Sequence, residues 1–262
     1  MLPPEIFSEI FSFLASEARV LLACSQAHPI FAQLVEPTLY AHVVIDRVAY
    51  YEDEHHLRFT PYQLSTLLSD NPRILNYLRS LRVELFTLFA YREAMKEITA
   101  ILLRLKLERI QLTFASRACA RWEWLFKSFR TAFVACISTS YMREICLDNV
   151  GYIPLPSFAD CAGLKRLTLW TRVVPPSNRS FKFPQLEALE LFDWEMADSS
   201  RGFLSWALTH ASGLRSLTLS TPRKKVIRRF LPHLLTICST SLVNLNIYYF
   251  EPSKPIPIQS PE

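Results

Sequence analysis

The chain has 262 residues, half of them hydrophobic and 13% aromatic, enough for one large domain or for a small domain joined to a larger one. Its 29 basic and 24 acidic side chains leave a formal charge of +5, a mild excess that by itself does not argue for nucleic acid. The four glycines (Gly151, Gly163, Gly202 and Gly213) are scattered, which excludes a glycine-rich phosphate-binding loop.

No run of about 18 uncharged apolar residues marks a membrane span, and no signal peptide precedes Leu2. A soluble chain of the cytoplasm and/or nucleus is therefore expected. The six cysteines (Cys24, Cys119, Cys136, Cys146, Cys161 and Cys238) form no C-x-x-C pair and sit in or near apolar runs. That placement predicts buried, reduced thiols.

In chain order, residues 1–45 read as three short helices and the start of a strand. The first runs from Pro3 to about Leu14, with proline in its first turn, where a missing N–H costs nothing. Ser16 is expected to cap a second helix, with Glu17 near its positive end. His28-Pro29 starts a third, which Glu36-Pro37 should end, and Ala41–Asp46 (AHVVID) reads as a strand. Residues 46–60 are polar and irregular, a connecting strand or loop.

From residue 61 to 250 one phrase recurs. It reads LRSLRV from Leu78, LERIQL from Leu107, MREICL from Met142 and LKRLTL from Leu164. It returns as LEALEL from Leu186, LRSLTL from Leu214 and LVNLNI from Leu242. Successive starts are 29, 35, 22, 22, 28 and 28 residues apart. Each phrase has apolar residues at its first, fourth and sixth positions, and the repetition predicts a solenoid of strands.

Helical periodicity fills the longer gaps: PYQLSTLLSD, YREAMKEITAILLRL, WEWLFKSFRTAFVACI, SRGFLSWALTHA and KKVIRRFLPHLLTIC. The two 22-residue steps leave room only for irregular or 3₁₀ connections, in keeping with Pro154, Pro156, Pro175, Pro176 and Pro184. Residues 251–262 are proline-rich and should be extended.

The repeats resemble the leucine-rich-repeat family in a degenerate form, since the Asn or Cys that follows the strand in that family recurs irregularly here. LPPEIFSEIFSFL followed by LLACSQAHPIFAQLVEPTLY resembles the F-box, chiefly as it occurs in fungal F-box proteins with such repeats. The matching residues are Leu2, Pro3, Glu5, Ile6, Ile10 and Leu14, then Leu21, Leu22, Cys24, Ser25 and Phe31. Many F-boxes carry Val-Cys-Arg-x-Trp in the last helix, whereas this chain has CSQAHPIF, with Phe31 where Trp is common and no arginine.

The resemblance implies an α/β fold: a three-helix F-box over residues 1–45, then a leucine-rich-repeat-like solenoid with a parallel sheet over 61–250. It also implies a function. The chain would be the non-catalytic substrate receptor of a Skp–cullin–F-box ubiquitin ligase. Leu2, Pro3, Glu5, Ile6, Ile10 and Leu14 would dock on the Skp-family adaptor and, through it, the cullin–RING ligase, while the repeats bind a protein target. A ligase-independent protein-interaction scaffold is the alternative.

Physical reasoning bears on the first helix directly. At about 100° per residue, Ile6, Phe7, Ile10, Phe11, Phe13 and Leu14 span about 160°, more than the roughly 100° stripe that a helix needs for its own core. A module of about 45 residues cannot enclose the excess by itself.

In the repeats, the third, fifth and seventh positions of each phrase should point away from the core. The seventh reads Glu84, Thr113, Asp148, Trp170, Phe192, Ser220 and Tyr248; the fifth includes Glu190 and Thr218. Exposed aromatics on neighbouring strands mark a recognition surface, so Trp170, Phe192, Trp194, Glu190, Thr218 and Tyr248 are the candidate target-binding residues.

Other constellations carry less. EDEHH (Glu52–His56) holds ligand-type residues with no second cluster to complete a metal site. RKKVIRR (Arg223–Arg229) puts five cations in seven residues, but reads as the charged face of an amphipathic helix. No nucleophile–base pair, metal motif or paired carboxylates is found, so no enzyme and no cofactor is expected; no membrane partner is expected either, and a nucleic-acid-associated factor using Arg223–Arg229 is the weaker third reading.

Overall fold

The computed structural model describes residues 3–46, 56–85, 92–114, 120–158, 160–170, 173–174, 185–192, 213–221, 232, 236 and 240–249. Residues 200–211, the Arg223–Arg229 stretch, Leu2, Glu52–His55, Trp194 and residues 251–262 lie outside them. The chain is α/β, with one large parallel sheet and, among the described residues, six α-helices. No described helix is long and apolar enough to cross a membrane.

Three helices come first: α1 (Pro4–Phe13), α2 (Ala18–Ala27) and α3 (Pro29–Leu39). The cap of α2 is Glu17, not Ser16 as the sequence suggested. At α3, His28 Nδ1 accepts the Ile30 N–H at 3.1 Å, which satisfies a donor that the helix start would otherwise leave open. The helix also runs two residues beyond Pro37, where it was expected to stop. In the last turn proline forfeits one hydrogen bond, while Val35 and Leu39 on the same face are fully buried and hold the turn in place.

Nine strands form the main sheet: β1 (His42–Ile45), β2 (Leu57–Phe59), β3 (Ser80–Leu85), β4 (Arg109–Phe114), β5 (Glu144–Asp148), β6 (Arg166–Trp170), β7 (Ala188–Leu191), β8 (Ser216–Thr221) and β9 (Asn244–Tyr249). Their order is β2-β1-β3-β4-β5-β6-β7-β8-β9, parallel throughout. Strands β3 to β9 are the seven repeated phrases in chain order. β2 is an edge strand inside the stretch that the sequence left irregular.

Each phrase enters the sheet in the same way. The N–H groups of Arg79 and Ser80 both donate to the Ala41 carbonyl, and those of Glu108 and Arg109 both donate to the Arg79 carbonyl. The pattern repeats onto the carbonyls of Glu108, Arg143, Lys165, Glu187 and Arg215. It fixes the register so that first, fourth and sixth positions line up. Leu78, Leu81 and Val83, and their equivalents in the next five phrases, are all buried. In the last phrase Leu242, Leu245 and Ile247 are only half-buried.

Helices α4 (Pro61–Asp70), α5 (Arg92–Leu102) and α6 (Lys127–Ile137) cover that apolar face with Leu64 and Leu68, with Met95, Ile98, Ile101 and Leu102, and with Phe129, Phe133, Cys136 and Ile137. All come from spacings of three or four. α4 starts on a capping box: Thr60 Oγ1 accepts the Gln63 N–H at 3.2 Å and Gln63 Oε1 accepts the Thr60 N–H at 2.9 Å. Ahead of α6, Trp122–Trp124 is a 3₁₀ turn whose Trp122 packs edge-on to Phe133. The 22-residue step from β5 to β6 uses a 3₁₀ turn at Leu155–Phe158, as its prolines predicted.

Asn149 follows β5 in a left-handed conformation (φ 58°), and its side-chain amide donates to the Phe114 carbonyl at 2.9 Å, tying one turn to the strand before it. Gly163 is the tightest point. A Cβ there would lie 2.6 Å from the Ser140 carbonyl oxygen and 2.8 Å from that of Met142. Gly163→Ala should lower stability by about 1–3 kcal/mol in urea unfolding. Gly213→Ala, whose nearest atom is 3.9 Å away, should change it by less than about 0.5 kcal/mol.

Candidate functional site

Two surfaces carry the candidate residues. The first is built on α1. Pro3 is extended (φ −58°, ψ 147°), Pro4 takes the first helical position and Glu5 places a carboxylate in the first turn, where the helix dipole favours it. The three N-terminal helices have a core of their own: Phe11, Ala18, Leu21, Val35 and Leu39, with Phe7, Leu14, Phe31 and Leu34 packed against it. Phe31 sits 5.1 Å from Phe7 and 6.1 Å from Phe11, ring centre to ring centre. The aromatic at this position is half-buried and packs against that core.

That core uses half of the 160° apolar arc. Phe11 is buried, and Phe7 and Leu14 are half-buried. Ile6, Ile10 and Phe13 are 41%, 43% and 79% exposed. Spaced i, i+4, i+7, they form a stripe within about 60° on the outer side of the helix. Pro3 and Glu5 are exposed beside it.

Leu14 is a correction. It follows the last turn and is directed into the helical core, so it does not belong to the outer stripe. Phe13 takes its place, and its wheel position next to Ile6 is the signal that would have found it. Val20, Leu22 and Ile30 are further exposed apolar side chains of α2 and α3.

The second surface is the sheet face opposite the helices. The pairing Asp148↔Trp170, followed by Leu169↔Leu191, sets Asp148, Trp170 and Phe192 side by side on β5, β6 and the end of β7. Phe192 N–H donates to the Leu169 carbonyl at 2.8 Å. The rings of Trp170 and Phe192 lie 3.9 Å apart, centre to centre, and 13° from parallel. Ser220 and Tyr248 continue the row, paired in register.

Trp170 is 45% exposed and Tyr248 56% exposed. Glu190 is half-buried and accepts a hydrogen bond from Thr168 Oγ1 at 3.2 Å. Thr218 is a second correction: it is buried among its strand neighbours and offers no contact surface. Its strand partners are Glu190 on β7 and Asn246 on β9.

Toward β2 the face is closed by charge pairs. Arg58 bridges the buried Asp46 and Glu84, both at 3.3 Å, and Arg82 reaches Glu84 at 2.7 Å. Arg109 pairs with Glu144 at 3.5 Å. Burial pushes the Asp148 carboxyl above its ordinary range, against the lowering effect of Arg82.

No group of three or more metal-ligating side chains is found among the described residues. Comparison with protein-family models, curated proteins and solved structures gives no significant match for this chain.

The thiols give a check on the core. Burial raises Cys136 and Cys161 from 9.0 to about 12, and raises Cys146 to about 11, with the charges of Asp148, Glu144 and Glu190 adding to the last. A raised folded-state value means that the folded chain keeps protons which the unfolded chain releases. Their contribution is complete below pH 9 and is lost between pH 9 and 12. Iodoacetamide at pH 8 should label Cys24, which is only half-buried, well before Cys136, Cys146 or Cys161. Peptide mapping of the native protein against a urea-unfolded control checks this order.

Proposed function

We propose that the chain is the non-catalytic substrate receptor of a Skp–cullin–F-box ubiquitin ligase, with residues 1–45 as the F-box and a leucine-rich-repeat-like solenoid holding the target. One observation carries the reading: the exposed Ile6–Ile10–Phe13 stripe on a helical module that already has a closed core. An apolar stripe that its own fold does not cover is a docking surface for another protein. The stripe lies in the segment whose Leu-Pro-Pro-Glu-Ile opening resembles the F-box.

The departure at CSQAHPIF is consistent with this reading. Phe31 stands where that family commonly has Trp and packs on Phe7 and Phe11, so the exchange keeps an aromatic against the core. In this role the chain contributes proximity and orientation, and other subunits carry out ubiquitin transfer.

Co-expression with a Skp-family adaptor should yield a complex that survives gel filtration. Ile6→Asp combined with Ile10→Asp should weaken capture by at least about tenfold, because two apolar anchors become charges. Both side chains are exposed, so the thermal unfolding of the variant should match that of the parent. If the intact chain forms no complex, the ligase reading falls and the ligase-independent scaffold takes its place.

A further inference from the structure

The target-binding face has a chemistry that the receptor reading leaves open. Trp170 and Phe192 stack nearly face to face between neighbouring strands. One face of the indole is therefore covered by Phe192, and the other is turned toward β5. The residue in that direction is Asp148, paired in register with Trp170 and about 4.8 Å away along the hydrogen-bonding direction. A second carboxylate, Glu190, precedes Phe192 by two residues on the same face.

The charges around this spot are uneven. Arg82 is close enough to favour the charged form of Asp148, but its ion pair is with Glu84 at 2.7 Å, and Arg109 pairs with Glu144 at 3.5 Å. Arg166 lies on the same strand as Trp170, four residues before it, at the far end of the face. Among the described residues neither Asp148 nor Glu190 has an ion-pair partner, and both are half-buried. A half-desolvated carboxylate beside an open aromatic face is unfavourable in the free protein, and a cation set between them would relieve it.

The geometry points to a cationic side chain of the target protein, arginine in preference to lysine, held between the Trp170 ring and the Asp148 carboxylate. Arginine fits better because its flat guanidinium stacks on an indole while its N–H groups reach a carboxylate at the edge. Glu190 extends the negative field along the same face, and Tyr248 adds an exposed aromatic further on. This inference rests on the receptor reading only for the word target; the surface itself is independent of α1.

A random-peptide display library panned on the intact chain tests it. Enriched peptides should share an arginine or lysine at one fixed position, and replacing that residue by methionine should weaken binding at least about tenfold. Asp148→Asn with Glu190→Gln keeps the shape of both side chains and should weaken the same peptide to a similar extent. Trp170→Ala should do so too, and the isosteric pair guards against loss of packing in that variant. Enriched peptides that are acidic or share no cation, peptides bound equally well by the isosteric double variant, or no enrichment at all would each overturn the inference. Adaptor capture by the same variants separates the two readings. Retained peptide binding without adaptor binding strikes only the ligase role, and the reverse result strikes only the cation site.

Discussion

A carbonyl that receives two N–H donors, repeated seven times, is the constraint on which the sheet depends. Each phrase starts by donating its second and third N–H groups to one carbonyl of the strand before it. The next strand therefore begins at a fixed height whatever the chain did between them. Connectors as different as those behind a 22-residue and a 35-residue step are accommodated without a slip. A slip of one residue would turn Leu81, Ile110, Ile145 and their equivalents away from the helices, at roughly 1.5–3 kcal/mol for each side chain.

The same constraint builds the sheet face opposite the helices. Side chains alternate along a strand, so the register that buries the first, fourth and sixth positions also aligns the seventh across seven strands. Trp170 meets Phe192 for that reason, and Asp148 stands beside Trp170 for the same one. The helical module is less tightly joined. It has a separate core and reaches the sheet through Tyr40 and Leu57, with the Glu36–Arg73 ion pair at 2.7 Å beside them.

Much of this could be read in the sequence because it is periodic. The apolar template placed the strands, PYQLSTLLSD is α4 residue for residue, and the aromatic column follows from counting. What escaped depends on tertiary contact. Pro37 reads as a stop, yet α3 continues because Val35 and Leu39 are buried. Leu57–Phe59 is too short to show a period and becomes a strand only by pairing with β1. A helical wheel shows how wide the apolar arc of α1 is, but not which half the core uses; the packing of Phe7, Phe11 and Phe31 decides that Leu14 turns inward and Phe13 outward. Thr218 looked like a surface residue because alternation gives the face of a side chain and not its burial.

The order of the strands also shapes how the chain bears damage. In the sheet each central strand pairs with one neighbour on either side, so a defect spreads along a line and its effect fades with every strand crossed. At one end of the line the three-helix module packs on the sheet through Tyr40 and Leu57. At the other, the last phrase leaves Leu242, Leu245 and Ile247 half-buried, and β9, among the described residues, pairs with β8 alone. Among the described strands β9 has the least buried apolar surface, which favours local opening there, and the stacked rings of Phe192 and Trp170 sit two and three strands further in.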